Sequence, residues 1–320
     1  MEVISLLKKG NKSSAAAAIG NTILAIVKGI AAFLSGSGTM FATTLHSLAD
    51  ATNQGFVFFG SALAEKEPTK RFPAGFGRVV NLFVLVAVMI ISVMAYESII
   101  SGWDLIRNPE PSSNFWLNVL ILFVAICVDG FVLIKAMKEI KRETDSDATG
   151  LQVAWDAYRN VKYAAPPTRL VFYEDNIATF GTMLALLFVI LAHFTGLYFL
   201  DGLGSLFIGI LLLIIALKIG YENTMGLIGV AAPKQVENRI AKHILNHPDV
   251  VDIKKMRIIQ EGRLYHVESY IELRKGLTLD EADDIKDELQ AYILEDKDVG
   301  DATIGLYETD DEQDWRLEEK

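Results

Sequence analysis

Apolar residues run in six long stretches through the first 229 residues and then stop. The stretches are about Ser14 to Leu34, Gly38 to Leu63, Val79 to Ile100, Phe115 to Met137, Leu170 to Phe194 and Leu203 to Ile219. A helix needs about 20 residues to cross a hydrocarbon core of about 30 Å, so each stretch is long enough to span. One such run could be a buried core helix. Six in series, with only short or charged connections, predict a transmembrane bundle. After Gly229 the pattern changes. Lys234 to Asn246 reads as a helix, and Val251 to Ile259 and His266 to Leu273 read as strands joined by a turn at Glu261-Gly262. Thr278 is a helix cap for about Leu279 to Glu295, and Asp301 to Tyr307 reads as a third strand. The order αββαβ predicts two helices on one face of a small sheet. The expected division is 1–229 for the spans, 230–310 for the αββαβ domain and 311–320 for an acidic, disordered tail.

The connections carry the orientation. Ser35 to Gly38 and Ala192 to Leu200 hold no Lys or Arg, and the third-to-fourth connection holds only Arg107. The opposite side holds Lys8, Lys9, Lys12, Lys66, Lys70, Arg71, Arg78, Lys138, Lys141, Arg142, Arg159, Lys162 and Arg169. The positive-inside rule places both termini in the cytoplasm, as an even number of spans requires. Lys138 to Thr168 is a long charged connection in which about Gly150 to Lys162 could form an interfacial helix, and Pro166-Pro167 starts the fifth span. The net charge of -10, carried largely by the tail, argues against nucleic acid as a partner. Cys127 is the single cysteine, so no intramolecular disulfide forms. The N-terminus has no signal-peptide plan, and the chain suits a prokaryotic plasma membrane.

Against this apolar background the polar residues stand out. The second span holds His46, Asp50, Asn53 and Gln54, the fourth holds Asp129, and the fifth holds Glu174, Asp175 and Asn176 near its cytoplasmic end. His46 and Asp50 are four apart, which stacks them on one helix face. An acid inside a span costs several kcal/mol unless matched, so such residues point to function. A histidine with a carboxylate can bind a transition metal, zinc best of all in a tetrahedral N and O site, but two ligands are too few and the fifth span must supply others. Glu174 and Asp175 are adjacent and point about 100° apart, so they need not both face one site. Asn21, Asn53 and Gln54 read as helix-to-helix hydrogen bonds. Lys28 is expected to snorkel or to pair with an acid. Asp201 reads as the N-cap of the sixth helix. His243 and His247, four apart in the tail, read first as a solvated face, His193 as interfacial at the outer end of the fifth span, and His266 as structural.

The stretch SGSGTMFATTLHSLADATNQ, Ser35 to Gln54, resembles the second-helix signature of the cation diffusion facilitator family. The six-span plan, the sequence RFPAGFGR before the third span and the αββαβ tail are similar to that family too, so the resemblance covers nearly the whole chain. It implies an all-α six-helix transmembrane bundle with a small cytoplasmic ferredoxin-like α+β domain. It also implies a homodimer, joined through that domain, exchanging a divalent metal, usually zinc, for protons. The family's site uses two residues four apart on the second helix, matching His46 and Asp50, and two four apart on the fifth. The second pair has no clean match: Val171 precedes Asp175 by four, Leu170 precedes Glu174 by four, and Phe172 and Asn176 are the remaining register. The segment YEDNIATFG looks like a divergent branch that includes the mitochondrial type of zinc transporter. The implied metal set is therefore His46, Asp50, Asp175, Glu174 and Asn176, and its oxygen content admits manganese, iron or cobalt. The family's auxiliary metal ligands before the third helix and in the tail are not matched.

These readings predict proton-coupled export by alternating access, the transported metal being substrate and no cofactor being expected. The rivals are a membrane metal sensor or assembly subunit with the tail as output, and a proton-coupled carrier of an organic substrate. An enzyme is not expected, since the chain has no Gly-rich phosphate loop and no nucleophile-and-base motif.

Overall fold

Within a bilayer each backbone N–H and C=O must be satisfied inside its own segment, so an apolar run that spans becomes a helix. The computed structural model describes residues 2–73, 75–144, 149–150, 152–161, 166–261 and 264–316. Its helices are α1 (Glu2–Lys9), α2 (Lys12–Ser35), α3 (Gly38–Ala64), α4 (Val79–Arg107), α5 (Phe115–Glu143), α6 (Gln152–Asn160), α7 (Pro166–Thr195) and α8 (Phe199–Ile228). There follow β1 (Val230–Ala231), α9 (Lys234–Leu245), β2 (Val250–Glu261), β3 (Leu264–Leu273), α10 (Leu279–Leu294) and β4 (Val299–Glu308). Two compact units form, one of residues 11–58 and 84–220, the other of 1–10, 59–83 and 221–320.

Five helices, α2, α4, α5, α7 and α8, are long and apolar enough to cross a membrane. α3 is as long, but His46, Asp50, Asn53 and Gln54 lower its hydropathy, so it is the polar member of the bundle. Only 17% of the apolar window of α2 and 50% of that of α8 is buried, and residues such as Phe33 and Trp116 face outward. Outward apolar faces of this extent suit lipid as solvent. The chain is a multi-pass integral membrane protein. α4, α5 and α8 run beyond their apolar stretches, to Arg107, Glu143 and Ile228. A polar last turn still makes i to i−4 bonds, so the helix end does not coincide with the end of hydropathy. The connection expected from Lys138 therefore starts only after Thr144, the C-cap of α5. α6 lies where the interfacial helix was expected, although Lys162 falls outside the described residues.

Small residues set the packing. Ser98 and Ser205 each donate a hydroxyl hydrogen bond to the other's carbonyl, both at 3.0 Å, which ties α4 to α8. A Cβ on Gly102 would lie 2.5 Å from the Leu206 backbone nitrogen, so only glycine allows this approach. Ala31, Met40, Leu122, Ala185 and Ile208 join α2, α3, α5, α7 and α8 in one core. Asp201 does not cap its own helix. It lies inside α8, where Oδ1 accepts from the Ser37 hydroxyl at 2.8 Å and the Thr39 N–H at 3.1 Å, and Oδ2 from the Gly38 N–H at 2.8 Å. It therefore caps α3 from a distant part of the chain, where its charge also complements the helix dipole.

The C-terminal domain has four strands in the order β1-β2-β3-β4, not three. β2 and β3 form an antiparallel hairpin, while β4 runs parallel to β3 after the crossover through α10. The extra strand β1 has only two residues, paired with Ile259 and Gln260, too short to leave a period in the sequence. Ile240 and Ile244 of α9 and Ile285, Leu289 and Ile293 of α10 pack on Ile253, Val267 and Ile271 of the sheet. Thr278 and Glu281 complete a capping box at the start of α10. The Thr278 N–H and hydroxyl hold the Glu281 carboxyl below its usual range.

The tail expected to be disordered from residue 311 is fixed through 316. The Asp314 N–H at 2.5 Å and the Trp315 N–H at 3.2 Å donate to Asp252 Oδ2, and Trp315 packs against the domain core. Lys254 Nζ lies 3.3 Å from buried Glu272, 2.6 Å from Asp310 and 2.7 Å from Asp314. These three acids are close enough together to hold a metal ion, and here they surround an ammonium. Their hydrogen bonds raise the Lys254 pKa, while Lys254 lowers that of Asp310.

Two outcomes are expected. Asp201→Ala leaves the first turn of α3 uncapped and lowers stability by about 1–2 kcal/mol, read as earlier thermal unfolding in detergent. For the tail, a depressed Asp310 contributes stability that is complete above its unfolded value of about 4 and is lost as pH falls through its folded value. Lys254 stays charged throughout that window. Trp315 fluorescence, taken as the difference from Trp315→Phe, should shift to a solvated signal on acidification, and at neutral pH in Lys254→Ala.

Candidate metal site

α3 carries Thr43, His46, Asp50 and Asn53 at helical spacing, so they share a face. His46 is buried, and its Nε2 stands 3.6 Å from Asp50 Oδ2, beyond a hydrogen bond. Both ring nitrogens of His46 are enclosed and make no hydrogen bond among the described residues. Such groups cost about 1–3 kcal/mol when left unmade, and they are the atoms a metal would use.

The fifth span, α7, supplies Asp175. Its Oδ2 is enclosed without a hydrogen bond, and its charge acts on Asp50 and Asp129. Asp129, on α5, accepts a hydrogen bond at 2.9 Å from the Thr182 hydroxyl of α7. Asp50 interacts electrostatically with His46, Lys28 and Asp129. His46, Asp50, Asp129, Asp175 and Lys28 thus form one charged cluster drawn from α2, α3, α5 and α7.

The other sequence candidates fare differently. Asn176 is engaged elsewhere: its carbonyl oxygen accepts from the Tyr158 hydroxyl, and its amide donates at 3.0 Å to the Phe172 carbonyl. Glu174 is half-buried, about 100° round the helix from Asp175. Lys28 does not snorkel. It is 1% exposed, and its Nζ donates to the Ser47 hydroxyl at 2.9 Å. The acids attract it from a distance, so of the two expectations the pairing with acids is the nearer. The sequence signal was present, a lone lysine sixteen residues into a span that starts at Lys12. Its direction was not legible, because a lysine stem can reach lipid headgroups or protein equally well.

Histidines outside the cluster have ordinary partners. His193 stacks on Phe115 with ring centroids 3.9 Å apart. His243 packs against Tyr292, and His266 Nδ1 lies 3.1 Å from Asp301. His247 Nδ1 accepts from the Asp249 N–H at 3.2 Å, which places its proton on Nε2, facing Glu288 at 3.9 Å. That tautomer turns an N–H, not a lone pair, toward the neighbouring helix.

Comparison with known proteins gives matches along nearly the whole chain. A family model described as "Cation efflux transmembrane domain" matches residues 14–228, and one described as "Cation efflux protein, cytoplasmic domain" matches residues 232–306. The mitochondrial proton-coupled zinc antiporter of Mus musculus is 27% identical over 244 residues, covering 76% of this chain and 42% of that protein. Its Xenopus laevis counterpart is 29% identical over 283 residues, covering 81% and 49%. The cation-efflux pump FieF of Yersinia enterocolitica is 25% identical over 287 residues, covering 87% of each. The chain therefore spans less than half the length of the mitochondrial relatives.

The geometry separates two neighbours that the sequence could not. Asp175→Asn should weaken zinc binding by at least about tenfold, measured by competition with a chromogenic chelator. Asn176→Ala should leave zinc affinity within about twofold of wild type, since its amide is committed to Tyr158 and Phe172.

Proposed function

The chain belongs to the cation efflux family, and from that premise we propose that it carries a divalent cation, zinc first, across the membrane in exchange for protons. Binding is assigned to His46 and Asp50 of α3 and Asp175 of α7, with Glu174 as a further oxygen donor on the same helix and Asp129 of α5 as a neighbouring charge that is not a ligand. The observation that carries this reading is the buried His46 ring, with both nitrogens unbonded, beside Asp50. One nitrogen and several carboxylate oxygens suit zinc in a tetrahedral site, and also suit manganese, iron or cobalt.

The coupling follows from the donor chemistry. A ligating imidazole must be neutral and ligating carboxylates ionised, so protons and metal compete for the same atoms. Histidine side chains exchange protons between about pH 5 and 8, which suits the role to a physiological gradient. Metal enters the deprotonated site from one side. On the other side protons displace it and return through the same groups as the bundle rocks. The positive-inside pattern supports both termini in the cytoplasm, hence export. The match to the family's cytoplasmic domain supports the C-terminal domain as the contact between two copies.

Purified protein in liposomes should move zinc under a pH gradient with saturation. His46→Ala or Asp50→Ala should reduce the initial rate by at least about 100-fold. Saturable flux that survives both substitutions would remove the site assignment, and no flux of zinc, manganese, iron or cobalt would favour a sensing role.

A further inference from the structure

Lys28 is the one feature of the cluster that metal binding by itself does not explain. A cation site that is to hold a divalent ion has no need of a second positive charge at its wall. Burying an ammonium in an apolar bundle is costly unless acids neutralise it. Lys28 is nonetheless among the most completely buried large side chains of the described chain.

Its surroundings are specific. Nζ is fixed by the hydroxyl of Ser47, the residue that follows His46 on α3, and Ser47 is itself 3% exposed. An ammonium has three N–H groups, and among the described residues only this one hydrogen bond is made. The counter-charges are Asp50 and Asp129, which act on Lys28 through space without forming an ion pair within 4.0 Å. The lysine is thus held beside the acids, not bonded to them.

We propose that Lys28 is a tethered cation of the transport site, which neutralises part of the Asp50 and Asp129 charge when metal is absent and weakens metal binding by repulsion when it is present. This rests on the functional reading above. Counted formally, three carboxylates, Asp50, Asp129 and Asp175, and the Lys28 ammonium carry a charge of −2. One divalent cation balances it. Without Lys28 the same acids would hold the metal too tightly to release it within a transport cycle. The Ser47 hydroxyl fixes the ammonium one residue from His46, so it adds charge at the site without occupying a ligand position. Lys28 is a positioning residue in this sense, since it sets the field in which the ligands work.

The experiment uses the full chain in detergent and in liposomes, with zinc alone as the probe. Lys28→Gln should bind zinc at least about tenfold more tightly, about 1.4 kcal/mol, and turn over more slowly, so that KM and kcat fall together. Lys28→Arg keeps the charge and should hold zinc affinity within about threefold of wild type. The double variant Lys28→Gln/Asp129→Asn keeps the formal charge of the cluster, and it carries the test if the single variant fails to fold. Its zinc affinity should return to within about threefold of wild type. Unchanged or weaker affinity in folded Lys28→Gln, or a double variant more than about tenfold weaker than wild type, would overturn the proposal. Wild-type protein that binds no zinc would overturn the functional reading instead, a result separable because it does not depend on Lys28.

Discussion

Charge inside an apolar bundle is costly unless opposite charges and polar groups stand near it. Lys28, Asp50, Asp129 and Asp175 come from α2, α3, α5 and α7, and each acts on at least one of the others. Apolar contacts such as Ala31 with Leu122 and Ala185 fill space but tolerate sliding, since lipid is as apolar as the core. The charged cluster does not. Its hydrogen bonds tie Lys28 of α2 to Ser47 of α3 and Thr182 of α7 to Asp129 of α5, much as Asp201 fixes the start of α3 by accepting from Ser37, Gly38 and Thr39. Fold and candidate site therefore rest on the same groups.

The C-terminal domain uses a lysine among acids to a different end. Lys254 touches Glu272, Asp310 and Asp314 at 3.3, 2.6 and 2.7 Å, so its donors are spent on direct contact. The result is a closed ion cluster that pins residues 310–314 to the sheet beside Asp252. Lys28 has its one hydrogen bond to a neutral hydroxyl, and its acids stay at a distance. Contact saturates a charge; distance leaves it able to respond when another ion arrives.

Most of the architecture was legible because it depends on hydropathy and spacing. The six helices, α6, the αβ order of the tail, the Thr278 cap and the His46–Asp50 face all follow from local sequence. What was not legible depends on distant partners. Asp201 looks like a local cap because Gly202 follows it, yet its partners lie more than 160 residues away. Acidic residues 311–316 look disordered by composition, and only Lys254 and Asp252 show why they are held. β1 is too short to carry a period. Asp175 and Asn176 differ by one step on a helix, and no spacing rule tells which one turns inward; Tyr158 of α6, by binding Asn176, settles that residue's direction.

The polarity of α3 has a physical reason beyond holding ligands. Its hydroxyls mostly return to the helix itself: Thr43 and Thr44 donate to the Met40 carbonyl at 3.0 and 2.8 Å, and Thr52 to the Leu48 carbonyl at 2.8 Å. Those residues are satisfied without help from neighbouring helices. His46 leaves both ring nitrogens unbonded, and Asn53 leaves its side-chain oxygen unbonded. A site whose donors were all engaged by protein would gain nothing from a metal, and one with many loose donors would not fold. In the bundle His46 and Asp175 keep enclosed atoms unbonded while Thr182, Ser47 and Tyr158 occupy polar atoms around them. On the proposed reading, the free energy withheld from those few atoms in the empty state is returned when the metal binds, and protons can replace it because they satisfy the same atoms.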